Sequence, residues 1–272
     1  MTARMATTDR GQLDLLDWAR RSDGTSVEDI AILPSSFGDG FGVYPASDDI
    51  DSLPSPLLRI PGSACITIQE ALTPENYPLA AEAGLVDLLT RLVDAVPQGG
   101  RTIALAAFLA TMRLCPECAG ATKFDAYLSV LPWAESPYTD EDEAGEQDHV
   151  LWWTEAELEL LKGGKAYPAA LAIRDEVDTA IRMLTSPLRP LVRESLGGLQ
   201  SLFTPTEALD EKIEASLRAA FVSVLSRAFD FREGQDRIMI PIFDAMNHRH
   251  PPTCTWSMEG GGGGGGGPLR TG

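Results

Sequence analysis

Apolar positions along this chain fall into two regimes: helical spacing through the middle, and short unbroken runs near either end. Leu85, Leu88, Leu89, Leu92, Val93 and Val96 share one helical face, and Pro97-Gln98-Gly99-Gly100 reads as the stop. Ile103 to Met112 is apolar almost throughout, which predicts a core helix; it is far short of the ~20 residues a membrane span needs. After Trp152-Trp153, Thr154 and Glu157 stand at capping-box spacing and open a helix that Gly163-Gly164 closes. Ile173, Val177, Ile181 and Leu184 predict a further helix, broken by Pro187 and Pro190. The last helix opens at Thr204-Pro205-Thr206-Glu207, which reads as a capping box with proline at the first helical position. Its apolar face, Ile213, Leu217, Phe221, Val224, Leu225 and Ala228, carries Ser226 and Arg227 to the final turns before a break at Gly234.

The ends read differently. Leu13 to Ala19, with Leu15, Leu16 and Trp18, predicts a short amphipathic helix ended by Asp23-Gly24. Phe37-Gly38-Asp39-Gly40-Phe41-Gly42-Val43-Tyr44 has alternate glycines, which suit a tight hairpin or a ligand lying against main chain. Leu57 to Pro61 and Ala64 to Ile68 read as short β segments separated by a turn. Near the other end, Ile238 to Phe243 is apolar without alternation, as in a strand covered on both faces. Pro241 places that run at an edge or a bulge, because proline donates no ladder hydrogen bond. Asp244, Asn247 and His248 follow it directly. Strands early and late around a block of helices make the predicted class α+β.

Composition narrows the partners. The 272 residues are 44% hydrophobic and 23% charged, within the globular range and long enough for a sizeable core. A net charge of −18 disfavours nucleic acid or an anionic membrane surface as the main partner, since both need basic surface. An acidic surface suits a basic, lysine-bearing target, and it also keeps a protein soluble. Cys115-Pro116-Glu117-Cys118 has a spacing that holds zinc or runs redox chemistry. No second close cysteine pair accompanies it, so a loop between helices is the favoured reading and no metal is expected. Nothing at the N-terminus reads as a signal peptide, which points to an intracellular protein of cytoplasm or nucleus. Ser136 to His149 is acidic and predicts a solvated loop, and the glycines from Gly260 to Gly267 predict a disordered tail.

Ser226-Arg227-Ala228-Phe229 followed by Pro241-x-x-Asp244-x-x-Asn247-His248 resembles the SET-domain protein-lysine methyltransferases of the Rubisco large-subunit methyltransferase-like group. The glycine hairpin, the following strand with its Ile60-Pro61, and Tyr127-Leu128-x-x-Leu131-Pro132 are similar to segments of the same family. The resemblance implies S-adenosylmethionine as cofactor, held by Asp39, Gly40, Phe41, Arg227, Asn247 and His248. It implies a substrate-lysine site at Ser226, Arg227, Phe229 and Asp244, and a protein substrate bearing the target lysine. It also implies a split SET-type sheet with a large helical insertion, on a monomer. The parts are a helical lead-in at 1–36, the first part of the SET domain at 37–70, the insertion at 71–236, a C-terminal SET motif at 237–257 and the tail at 258–272. No residue here matches the family's catalytic tyrosine, which marks the C-terminal SET part as incomplete.

The expected chemistry is methyl transfer from a sulfonium to the neutral ε-amine of a protein lysine. Arg227 offers a planar fork to the cofactor carboxylate, Asn247 offers donor and acceptor, and Phe229 walls the lysine channel. The alternatives are an inactive relative that acts as a protein-binding module, and an unrelated acidic helical interaction module. The last is favoured only if the glycine hairpin does not pair with Ile238 to Phe243.

Overall fold

A computed structural model of the chain describes residues 11, 13–35, 41–47, 56–77, 84–131, 133, 149–197, 203–231, 236–247 and 257. The chain opens with helix α1 over 13–20, which buries Leu15, Leu16 and Ala19. Strands β1 (Ile30–Pro34) and β2 (Phe41–Pro45) then form an antiparallel pair with Ile32 opposite Val43. The described part of the glycine segment, 41–44, therefore lies in the second strand of a hairpin, and 37–40 lie outside the described residues. The first strand of the hairpin, whose signal is the alternation of buried Ile30 and Ile32 with Ala31 and Leu33, is an addition to the sequence reading.

Strand β3 (Ile66–Thr67) runs straight into α2 (Ile68–Ala71), whose first turn Thr67 caps by accepting from Glu70 N–H. Two helices in near succession follow, α3 (Leu85–Ala95) and α4 (Pro97–Leu114). Pro97-Gln98-Gly99-Gly100 is the first turn of α4, so the predicted stop is also a start. Proline suits a first helical position, where its missing N–H has no partner to lose. Gly100 makes the turn possible, since a Cβ there would collide with the Leu92 carbonyl.

Helix α4 is the axis of the core: Ala104 to Ala110 is fully buried, as its apolar run predicts. Short helices α5 (Ala119–Lys123), α6 (Asp125–Val130) and α7 (Glu155–Glu159) lead to two long ones. The capping box of Thr154 and Glu157 is present at the start of α7. Helix α8 (Ala166–Leu196) and helix α9 (Thr206–Arg227) both pack on α4 and on each other. Strands β4 (Ala228–Phe231) and β5 (Asp236–Met239) complete a second antiparallel sheet of order β3-β5-β4. The class is α+β, with small antiparallel sheets beside a helical core.

Several predicted boundaries move. Helix α8 continues through Pro187 and Pro190 to Gly197 rather than breaking. Burial of Leu184, Leu188, Leu191 and Val192 holds it together, while Pro190 faces solvent and water can serve the carbonyls that lose their partners. Ile173, expected on the buried face, is exposed. Helix α9 begins one residue later than read: Pro205 is its extended flanking residue, and no side-chain cap bond forms. It ends at Arg227 and not near Gly234, and Ala228 already belongs to β4.

The predicted strand Ile238 to Phe243 stops at Met239. Pro241 has no N–H to offer a ladder, and the buried Ile242 takes φ 70 before a 3-10 turn over Phe243–Ala245. In the earlier β segments, only Ile66 and Thr67 form a strand, while Arg59 makes an isolated bridge to Ser26. The acidic stretch at 136–148, the glycine tail and Gly234 lie outside the described residues.

Candidate functional site

The site is built where α9 hands over to β4 and where β5 ends, against the inner face of the hairpin. Arg227 is the last residue of α9, and Asp244 sits on the 3-10 turn that follows Ile242. Arg227 Nη1 donates to Asp244 Oδ2 at 3.3 Å, and the Asp244 side chain is only 3% exposed. The hydroxyl of Tyr127, a buried residue of α6, donates to the same oxygen at 2.9 Å. One carboxylate oxygen thus joins α6, α9 and the turn after β5.

The electrostatics of this trio follow from its burial. Loss of water pushes the Asp244 carboxyl above its ordinary value, against the opposing pull of Arg227 and the Tyr127 hydroxyl. Burial, with the Asp244 charge next in weight, raises Tyr127 well above the usual phenol range, so it stays a proton donor at neutral pH. Arg227 Nε is buried with no hydrogen-bond partner, while the side chain as a whole keeps 30% exposure. That leaves donor capacity on the guanidinium beyond what Asp244 uses.

The hairpin meets this centre through Asn247. Its side-chain Nδ2 donates to Ser35 Oγ at 3.1 Å, just beyond the end of β1. It also lies where a side chain on Gly42 would start: a Cβ at Gly42 would stand 2.5 Å from Asn247 Nδ2 and 3.0 Å from the Tyr44 ring. Glycine at that position is a requirement of close approach. Strand β2 packs against the turn that carries Asp244. The apolar wall is aromatic, with Phe229 of β4 edge-on to Phe243 at 5.2 Å between ring centres.

Of the residues singled out in the sequence, Arg227, Phe229, Asp244 and Asn247 come together here, while Phe41 opens the strand β2 that packs on the Asp244 turn. Ser226 is close in sequence but turns its hydroxyl back along α9, donating to the Val222 carbonyl at 2.7 Å. Asp39, Gly40 and His248 lie outside the described residues. Sequence reasoning passed over Tyr127, Ser35, Gly42 and Phe243 as site residues. Tyr127 carried a faint signal, a tyrosine on the buried side of a short helix with a hydroxyl that needs a partner.

The described cysteines, Cys65, Cys115 and Cys118, are buried free thiols. Burial raises Cys65 to about 12 and Cys115 to about 11, and it raises Cys118 as well, so the thiols stay protonated at neutral pH. Cys115 and Cys118 form the loop between α4 and α5, and among the described residues no group of His, Cys, Asp and Glu is placed to hold a metal ion. No helix among the described residues is long and apolar enough to cross a membrane. No protein-family model matches the chain, and no curated protein matches it.

Proposed function

We propose that this chain binds S-adenosylmethionine and serves its methyl transfer to the ε-amine of a lysine in a protein substrate. The observation that carries the reading is the meeting of two distant segments. Gly42 of the hairpin lies against Asn247, and its strand β2 against the Asp244 turn, with Arg227 alongside. The resemblance in the Ser-Arg-x-Phe and Pro-x-x-Asp-x-x-Asn-His segments calls for that convergence. Pairing of β3 with β5, Ile66 opposite Met239, joins strands from before and after the helical block, whereas the hairpin of β1 and β2 forms a sheet of its own and does not pair with β5, against the expectation that strands near residues 40 and 240 are neighbours.

The donor set suits the cofactor. The buried Nε of Arg227, with no partner among the described residues, and the part-exposed guanidinium suit a carboxylate. The exposed amide of Asn247 has donor and acceptor groups for the polar end of such a molecule. The faces of Phe229 and Phe243 favour a cation beside them. When bound, the cofactor supplies a methyl group on a sulfonium.

The chain's own residues do the rest. An attacking lysine must be neutral, and an apolar aromatic wall together with the Arg227 charge lowers its pKa. Holding amine and methyl carbon in line removes most of the orientational cost. The acidic surface favours a basic segment of the substrate protein.

The test is calorimetric titration of the purified chain with S-adenosylmethionine, with a thermal melt of the same sample. Saturable binding is expected, with stabilisation of about 2.7 kcal/mol at a hundredfold excess over Kd. Asn247→Ala is expected to weaken binding at least tenfold while moving the melting temperature little, since its side chain is exposed. A cooperatively folded chain that does not bind overturns the reading and leaves a protein-binding module as the alternative.

A further inference from the structure

The Arg227–Asp244 pair is incomplete as a device without a third group. Arg227 touches the carboxylate at one nitrogen only, at 3.3 Å, and leaves Nε unsatisfied. A single long contact does not fix a guanidinium; the tighter bond to the same oxygen comes from Tyr127 at 2.9 Å. Tyr127 is itself held rigidly. Its residue is 1% exposed, on α6, which continues the chain from α5 after Phe124. Phe124 in turn stacks edge-on to Phe108 of α4. The tyrosine therefore ties the helical core to a turn that has no regular ladder of its own, where Ile242 is already in a left-handed conformation.

We propose that Tyr127 is a positioning residue for the cofactor site, its hydroxyl fixing Asp244 and, through that carboxylate, the direction of the Arg227 guanidinium. The proposal rests on the functional reading above. Tyr127 does not touch cofactor or substrate; it acts through Asp244. Its loss leaves Asp244 free to turn and Arg227 free to sample other rotamers, so affinity falls although every group in direct contact with the cofactor is still present.

The control is built into the same core. Tyr77 is also buried and its hydroxyl donates to the Ala71 carbonyl at 2.6 Å, so Tyr77→Phe deletes an equivalent bond away from the site. Calorimetric titration with S-adenosylmethionine is made on the unaltered chain, Tyr127→Phe and Tyr77→Phe, each with a thermal melt. Both variants are expected to melt earlier. Tyr127→Phe is expected to lose roughly tenfold in affinity, the scale of one hydrogen bond to a charged group, and Tyr77→Phe less than twofold.

A second readout separates positioning from packing. The groups facing Asp244 are Tyr127 and Arg227, with Cys65 near Tyr127. Removal of the phenol deprives the carboxylate of a donor, so the pH below which affinity drops is expected to move upward in Tyr127→Phe and to stay in place in Tyr77→Phe. Equal affinities for unaltered chain and Tyr127→Phe, or equal losses in both variants, overturn the role given to Tyr127 and leave the functional reading standing. Absence of saturable binding by the unaltered chain overturns both.

Discussion

At the scale of single residues the decisive fact is that a carboxylate is buried with its cation half-engaged. Asp244 has a folded-state pKa above its ordinary 3.8, because the cost of burying the charge exceeds what Arg227 and Tyr127 return. The folded chain therefore binds this proton more tightly than the unfolded chain. Its stabilising contribution is complete below 3.8 and is lost as the pH rises through the folded value. Replacement of Arg227 by Met removes the larger of the two opposing groups. At pH 7 it leaves a buried carboxylate with only the tyrosine for support, and the expected loss is about 3 kcal/mol. On acidification Asp244 takes up its proton and the lonely charge disappears, so the difference between Arg227→Met and the unaltered chain must shrink. Urea titrations of both proteins at pH 7 and near pH 4 measure it. An undiminished difference at the lower pH would show that Arg227 acts through packing of its stem and not through the Asp244 charge.

At the scale of elements, the periodic helices and the cap of α7 were legible in the sequence, while the cap read at the start of α9 does not form and the places where backbone meets backbone were not legible. Helix α3, the buried run of α4 and the capping box of α7 depend on local spacing and appear where that spacing puts them. The continuation of α8 through two prolines depends on what its other face is packed against, which no local rule contains. The same holds for Gly100, whose use is a contact with the Leu92 carbonyl, and for the early end of β5. Within the site, the spacing of Asp244 and Asn247 drew attention to both. Tyr127 stayed hidden because its partner stands 117 residues away. The proline result has a direct check. Pro190 is exposed within a helix that runs unbroken from Ala166 to Leu196, so alanine there restores an N–H that can donate to the Ser186 carbonyl. Against this, the unfolded chain gains freedom worth about 0.4–1 kcal/mol. The net expectation is a gain of about 2 kcal/mol, read as a higher melting temperature for Pro190→Ala. A neutral or lowered value would mean the helix breaks there after all.

At the scale of the molecule, the candidate site straddles two kinds of structure that differ in how firmly they are held. Helices α4 and α9 pack extensively on each other, and α4 contributes a fully buried stretch from Ala104 to Ala110. The hairpin of β1 and β2 is a two-stranded sheet with Leu33 exposed, and such a pair has little stability of its own. Arg227, on the last turn of α9, belongs to the firm part; Phe41 and Gly42 belong to the hairpin, which is joined to the rest by Ile30 and Ile32 in the core and by the contact of β2 with the Asp244 turn. Opening of the hairpin alone should therefore cost far less than global unfolding. Hydrogen exchange under native conditions is expected to show the amides of Leu105 to Leu109 exchanging only through global unfolding. The hairpin amides of Ile32 and Val43 should exchange at least a hundredfold faster. On the proposed function, cofactor bound between the two parts would close the hairpin onto the helical core, so saturating S-adenosylmethionine should slow the hairpin amides by more than it slows those of α4. Hairpin amides as slow as those of α4 in the free chain would mean that the hairpin is part of the cooperative core. Slowing confined to α4 on addition of cofactor would place the binding site away from Phe41 and Gly42.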